Sequence, residues 1–260
     1  MKVGVLQFAP GLADVQANYS RIRELTSGIK LDLLVLPELC TTGYLFTSTK
    51  EVMPLAEEFP GGPSTDFFSE LAKNINGHVV AGVAEKSADT LYNSAVLFNP
   101  SGYVATYRKI HLFDKEKEIF TTGDLGFPVF DIGEAKIGMM VCFDWIYPES
   151  ARSLAVAGAD IVCHSANLVL PYCPRAAVTR SIENRVFYLL SDRVGTERRV
   201  NAELTFIGQS EIIDPKGNVL TALGAEEALI TAKIDPTQAR DKFVTPRNDI
   251  LSDRKPEFYR

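Results

Sequence analysis

Two short stretches of this chain are apolar at every position, Leu33-Leu-Val-Leu36 and Ile137-Gly-Met-Met-Val141. A strand with one face in water alternates apolar and polar side chains, so a run without alternation suits a strand covered on both faces. Strand and helix signals then alternate along most of the length, which places the chain in the α/β class. A first strand within Met1–Pro10 is followed by Val15, Tyr19, Ile22, Leu25 and Ile29, spaced by three and four as on one face of a helix. A second helix is predicted from Ser64, read as its N-cap, through Phe67, Phe68, Leu71 and Ile75 to a stop at Gly77. From His78 to Phe130 the signals are consecutive strands, with Asn99-Pro-Ser-Gly102 as a turn, so a plain alternating sheet is excluded there. Alternation resumes with a helix from Pro148, the strand Ile161-Val-Cys-His164 and a helix after Pro174 that carries Val178, Ile182 and Val186 on one face. The strand Glu211-Ile-Ile213 and the turn Asp214-Pro-Lys-Gly-Asn218 follow.

With 260 residues, 46% of them hydrophobic, the chain buries enough surface to need no disulfide or metal staple. No Pro/Ser linker divides it, and one domain over residues 1–260 is predicted. The segment from about Asp235, residues 236–260, is charged and proline-punctuated, which fits a mobile tail or an arm that docks on a partner subunit. The 27 basic and 33 acidic residues leave a formal charge of -6 without a long basic run, which argues against a nucleic-acid partner. Met1–Pro10 lacks the apolar core and cleavage pattern of a secretory signal. No apolar stretch approaches the about 18 residues of a membrane span, so no membrane association is expected. Cys40, Cys142, Cys163 and Cys173 form no disulfide framework and fit a reducing cytoplasm. His78, His111 and His164 lack metal-ligand spacing. Neither metal nor cofactor is expected.

Three residues with useful chemistry each stand at the end of a strand-like segment. Cys142 ends the run Lys136–Val141 and precedes a helix signal, where a helix N-terminus favours thiolate. Glu38 follows Leu33–Pro37, and apolar walls there raise a carboxyl pKa toward neutrality, as suits a base. Lys109 ends Tyr103–Arg108, placing a cation where it can face developing negative charge. Each has a plainer alternative: a small buried hydrophobe for Cys142, a turn cap for Glu38 and an edge-strand charge for Lys109. Together they supply the base, stabiliser and nucleophile of covalent acyl transfer.

Leu34-Val-Leu-Pro-Glu-Leu39, Tyr107-Arg-Lys-Ile-His-Leu-Phe113 and Gly138-Met-Met-Val-Cys-Phe-Asp144 resemble the three signature blocks of the nitrilase, or carbon-nitrogen hydrolase, superfamily. Tyr92-Asn-Ser-Ala95, Pro148-Glu149, Glu183-Asn-Arg185 and Asp192-Arg-Val-Gly195 extend the likeness, which runs from near residue 1 to about 235. The resemblance implies a four-layer α-β-β-α sandwich, with Glu38 as general base, Lys109 as intermediate stabiliser and Cys142 as nucleophile. It adds Glu116 as the second glutamate that supports substrate positioning, against the plainer reading of one charge on a solvated face. It implies homo-oligomers, a homodimer or higher, and Arg254–Tyr259 resembles a tail that often exchanges between subunits in this family. True nitrilases often carry Trp-Glu after the cysteine. Phe143-Asp144-Trp145 departs from that and favours a small amide or carbamoyl substrate over a nitrile. The Phe143 N–H is a candidate oxyanion donor, and Tyr44 and Trp145 are candidate substrate walls or ordinary packing aromatics. Three readings stand at this point: an amidase or carbamoyl hydrolase releasing ammonia, a nitrilase, and a noncatalytic binding or regulatory module. A cysteine peptidase fits less well, since it leaves the Glu/Lys pairing unexplained.

Overall fold

Two six-stranded sheets carry the core of this computed structural model, which describes residues 1–259. The first sheet runs in the order Ala228–Lys233, Lys2–Gln7, Leu33–Val35, His78–Ser87, Thr90–Asn99 and Gly102–Arg108. The second runs Val219–Ala222, Glu211–Ile213, Phe187–Ser191, Ile161–Ser165, Lys136–Val141 and Val129–Asp131. The sheets face each other through pairs such as Lys2–Gln7 against Phe187–Ser191 and Leu33–Val35 against Ile161–Ser165.

The unbroken apolar runs are explained by this layering. Leu33 and Val35 point into the core between the sheets, with Val3, Val5 and Val80. Leu34 and Leu36 point the other way, against Tyr19, Ile22, Phe67, Phe68 and Leu71 of the helices Val15–Leu25 and Gly62–Ile75. In the second sheet, Gly138 lies under Leu154 of the helix Pro148–Val156, where a methyl group would sit 2.5 Å from a Leu154 methyl carbon. Strand alternation therefore turns Ile137, Met139 and Val141 toward the first sheet. The result is a helix, sheet, sheet, helix sandwich.

Local readings differ in four places, one being a short helix, Glu116–Ile119, inside the stretch His78–Phe130 expected to hold consecutive strands. The first helix ends at Leu25, and Ile29 lies beyond it. The second begins at Gly62, not Ser64, because Glu57 accepts from both the Ser64 N–H and its hydroxyl at 2.7 Å, drawing Ser64 into the first turn. In the helix Cys173–Asn184 the buried face is Cys173, Ala177, Ser181 and Asn184, while Ile182 is 49% exposed and Val186 lies beyond the helix end. Small residues let that helix approach its sheet closely, so its larger apolar residues sit at the rim.

The segment beyond Asp235 is held near the amino-terminal ends of the second sheet's central strands, Ile161–Ser165 and Phe187–Ser191. Arg240 pairs with Asp160 at 3.2 Å, and Lys242 donates to the carbonyls of Asn184 and Arg185. A short hairpin, Phe243–Thr245 with Asn248–Asp249, leaves Phe243 and Val244 exposed. Residue 260, the last of the expected tail, lies outside the described residues. No described helix is long and apolar enough to cross a membrane.

Candidate active site

Strand direction brings the first two candidates to one edge. Leu33–Val35 is parallel to His78–Ser87, and two antiparallel steps lead from there to Gly102–Arg108, so Leu33–Val35 and Gly102–Arg108 point the same way. Glu38 and Lys109 both leave the sheet at those carboxyl ends. Gly82 admits Glu38, since a methyl group there would lie 2.4 Å from the Glu38 Cα. Lys109 is fixed by its N–H, which donates to the Asn93 carbonyl at 2.8 Å.

The side chains form one buried chain of hydrogen bonds. Lys109 Nζ donates to Glu38 Oε1 at 2.7 Å and to Glu116 Oε1 at 2.8 Å. Asn93 Nδ2 also donates to Glu38 Oε1, at 2.7 Å, and the Tyr44 hydroxyl donates to Glu116 Oε1 at 2.7 Å. Glu116 Oε2 accepts from the Phe113 N–H at 3.0 Å. Glu38 and Lys109 are wholly buried and Glu116 is 5% exposed. Burial pushes the Glu38 carboxyl up to about 6, against the opposing pull of the Lys109 charge. Burial alone would deprotonate Lys109, but the Glu116 and Glu38 carboxylates outweigh it and raise its pKa. Glu38 Oε2 is buried without a hydrogen-bond partner, which leaves one carboxylate oxygen free to take a proton.

Cys142 opens the 3₁₀ turn Cys142–Ile146 after the strand Lys136–Val141. Its φ of 41° lies in the left-handed region, costly for a residue with a Cβ and found where surrounding structure enforces it. Two anchors enforce it here. Asp144 accepts from the Val141 N–H at 2.9 Å, the Tyr107 hydroxyl at 2.7 Å and His111 Nδ1 at 2.8 Å, tying the turn to residues on either side of Lys109. His164 Nε2 lies 3.0 Å from the Cys142 carbonyl, and its Nδ1 lies 2.9 Å from the Tyr188 hydroxyl. Burial lowers the His164 pKa to about 4, so the ring is neutral: Nε2 donates to the carbonyl and Nδ1 accepts from tyrosine. With its ring nitrogens so engaged, His164 is not a base for the thiol.

The thiol itself departs from the sequence expectation. Burial, reinforced by the Glu38 and Glu116 charges and opposed by Lys109, pushes its pKa well above that of a free cysteine. The resting group is a thiol, within 3.8 Å of the Asn167 carbonyl. Glu38, Lys109 and Glu116 carry a net charge of -1 when ionised, so losing the thiol proton to solvent adds a second negative charge to a buried cluster. Passing it to Glu38 keeps the charge constant. The arrangement therefore suits coupled proton transfer rather than a standing thiolate.

Two cavities meet at Phe113. One reaches Cys142 and is walled by Phe143, Trp145 and Leu168 to Leu170. The other, larger, reaches Tyr44 and Glu116 and is walled by Phe46, Phe120 and Leu204 among others. All seven predicted site residues are thus drawn into one region: Glu38, Lys109, Glu116 and Tyr44 in the hydrogen-bonded chain, and Cys142, Phe143 and Trp145 around the smaller cavity. Cys142 and Phe143 supply the first N–H groups of the 3₁₀ turn, which lack carbonyl partners within it. Sequence reasoning missed Asn93, Asp144, His164 and Asn167 as site residues. Asn167 lines the Cys142 cavity with both side-chain amide atoms buried and unpartnered. The signals for Asn93 were a polar residue inside the apolar strand Thr90–Asn99 and its place in Tyr92-Asn-Ser-Ala95, a segment that extends the resemblance.

Comparison with known proteins follows the same lines. A family model described as carbon-nitrogen hydrolase matches residues 2–242. A nitrilase from Pyrococcus abyssi is 47% identical over 100% of this chain and 99% of its own length. An (R)-stereoselective amidase from a Pseudomonas species is 32% identical, covering 98% of this chain and 92% of its own. The crystal structure of a carbon-nitrogen hydrolase from Helicobacter pylori superposes with a TM-score of 0.86 at 27% identity, over 100% of this chain and 97% of the other.

Proposed function

The chain belongs to the carbon-nitrogen hydrolase family, and from that premise we propose that it hydrolyses the non-peptide C–N bond of a small amide or carbamoyl compound through a thioester on Cys142. The observation that carries this reading is the free, buried oxygen of Glu38, set in a network with Lys109 and electrostatically coupled to Cys142. Glu38 accepts the thiol proton as sulfur attacks the carbonyl carbon. The electron pair of the C=O bond moves to oxygen, and the resulting oxyanion faces the Lys109 ammonium and the Phe143 N–H. Glu38 returns the proton to the departing nitrogen, ammonia leaves and a thioester remains. Water, deprotonated by Glu38, attacks the thioester, and the thiol is reprotonated as the acid departs. Glu116 orients Lys109, and Phe143, Tyr44 and Trp145 bound the substrate.

A nitrile is the second reading, supported by the 47% identity to the Pyrococcus abyssi nitrilase. The same attack on a nitrile gives a thioimidate that water converts to acid and ammonia. Phe143-Asp144-Trp145, where true nitrilases often carry Trp-Glu after the cysteine, favours the amide. We further propose that the protein acts in the cytoplasm as a homodimer or higher homo-oligomer, supported by its reduced cysteines and by the exposed Phe243, Val244 and Phe258 near its C-terminus.

The test is ammonia release from a panel of small amides, ω-amides, N-carbamoyl compounds and nitriles, run beside Cys142→Ala. Cysteine-dependent release from amides or carbamoyl compounds, with a thioester mass on Cys142 after rapid quench, is expected. Turnover by Cys142→Ala would refute the scheme, and release from nitriles alone would establish the second reading.

A further inference from the structure

Arg193 and Glu197 form a buried ion pair at the base of the hairpin Val194–Arg199 and Ala202–Ile207, with Arg193 Nη1 2.5 Å from Glu197 Oε1. The two residues are 1% and 6% exposed. A buried pair of this kind costs desolvation energy, so what its atoms hold is informative. Glu197 Oε2 accepts from the Leu45 N–H at 2.6 Å, and both its oxygens lie within 3.2 Å of the Tyr44 N–H. Arg193 donates to the Pro10 carbonyl at 2.9 Å and lies 4.0 Å over the ring of Phe206. That ring meets Tyr44 edge-on at 5.8 Å. One hairpin therefore grips Tyr44 twice, by its backbone and by its ring. It also supplies Ala202 and Leu204 to the wall of the larger cavity.

Tyr44 is the far end of the site's hydrogen-bonded chain. Its hydroxyl donates to Glu116 Oε1, the same oxygen that accepts from Lys109 Nζ. Burial and the neighbouring carboxylates keep that hydroxyl protonated, so it always donates. We propose that Glu197 is a positioning residue for catalysis. It sets the Tyr44 hydroxyl on Glu116, and Tyr44 in turn limits how strongly Glu116 draws Lys109 away from Glu38 and the reacting carbonyl. Arg193 holds Glu197 in place from behind. The inference rests on the roles proposed above for Lys109 and Glu116, and adds a relay of fixed geometry from the hairpin to the ammonium.

A double-mutant cycle between Glu197→Asp and Tyr44→Phe tests it. Glu197→Asp keeps a counter-charge for Arg193 but withdraws the carboxylate by one methylene from the Tyr44 and Leu45 N–H groups. Each single variant is expected to lower kcat about tenfold, a loss of about 1.4 kcal/mol of transition-state stabilisation, with KM changed less than threefold. The double variant is expected to match Tyr44→Phe within threefold. Additive losses in log kcat, or losses that track unfolding in urea, would overturn the proposal and leave Glu197 a structural residue. If Glu197→Asp does not fold, Arg193→Lys takes its place in the same cycle, with the same criterion. The cycle is repeated with the alkylation rate of Cys142 by iodoacetamide, which depends on the local field and not on turnover. Non-additive alkylation without hydrolysis of any amide, carbamoyl compound or nitrile would refute the proposed function while upholding the relay. Additive alkylation beside normal hydrolysis would refute the relay alone.

Discussion

Asn93 offers a way to move the acid limb of activity without touching the reacting groups. Its amide donates to Glu38 Oε1, a bond that favours the ionised carboxylate and therefore lowers its pKa. Burial already raises that pKa to about 6. Asn93→Leu keeps approximate size and removes the donor. A hydrogen bond to a buried charged group contributes about 1.5 kcal/mol, or roughly one pH unit, so the Glu38 midpoint is expected near 7. The sign follows directly: Glu38 must be ionised to accept the thiol proton, so a higher midpoint costs activity at low pH and little at high pH. At pH 6 the ionised fraction falls from about one half to about one tenth, roughly a fivefold loss in kcat/KM, while at pH 8 the change is about 10%. The assay is the pH profile of ammonia release between pH 5 and 9 for both proteins. The ratio of activities at pH 6 and pH 8 cancels any uniform loss from repacking. An unchanged acid limb, or an equal loss at every pH, would refute the assignment of Glu38 as the group that titrates in catalysis.

Two stability measurements complete the set. Lys109→Met leaves Glu38 and Glu116 buried without their cation and should destabilise the protein by about 3–5 kcal/mol in urea unfolding at pH 7.5. The loss should shrink at pH 5, where Glu38 takes up a proton, and a pH-independent loss would contradict the pairing. Glu211 is buried with one oxygen unpartnered, and burial raises its pKa to about 8 from an ordinary 4.5. Its contribution to stability is full below pH 4.5 and lost progressively as pH rises toward 8, because only the unfolded chain releases the proton in that window. Glu211→Gln should therefore leave stability near pH 4.5 unchanged and raise it at pH 7.5 by up to about 4 kcal/mol, and equal effects at both pH values would refute the burial argument.

The layers of the fold were legible because burial on two faces leaves no room for polar residues. Leu33 and Val35 had to meet one core, and Leu34 and Leu36 another. The helix Cys173–Asn184 was misread for the opposite reason. Its contact face consists of small and polar residues, which carry no hydrophobic stripe, while Val178 and Ile182 imitate one at the rim. Glu38, Lys109 and Cys142 were legible because each interrupts an apolar segment at its end. The convergence of their strands was not, since strand order depends on pairings between residues far apart in sequence. Asn167 and Glu197 make their contacts across tens of residues, and nothing local marks them. The thiolate expectation at Cys142 failed because local geometry speaks of a helix N-terminus, whereas Glu38 and Glu116, from another part of the chain, oppose ionisation.

Glu38, Lys109 and Glu116 arrive from the first half of the chain and Cys142 from the second, each carried by a different sheet. The division has a consequence for the life history of the molecule. A chain ending at Ile119 holds the three charged groups but no nucleophile, and a molecule whose sheets have separated has a thiol without its base. Catalysis thus requires the two sheets to be closed on each other, because the base is carried by one and the nucleophile by the other.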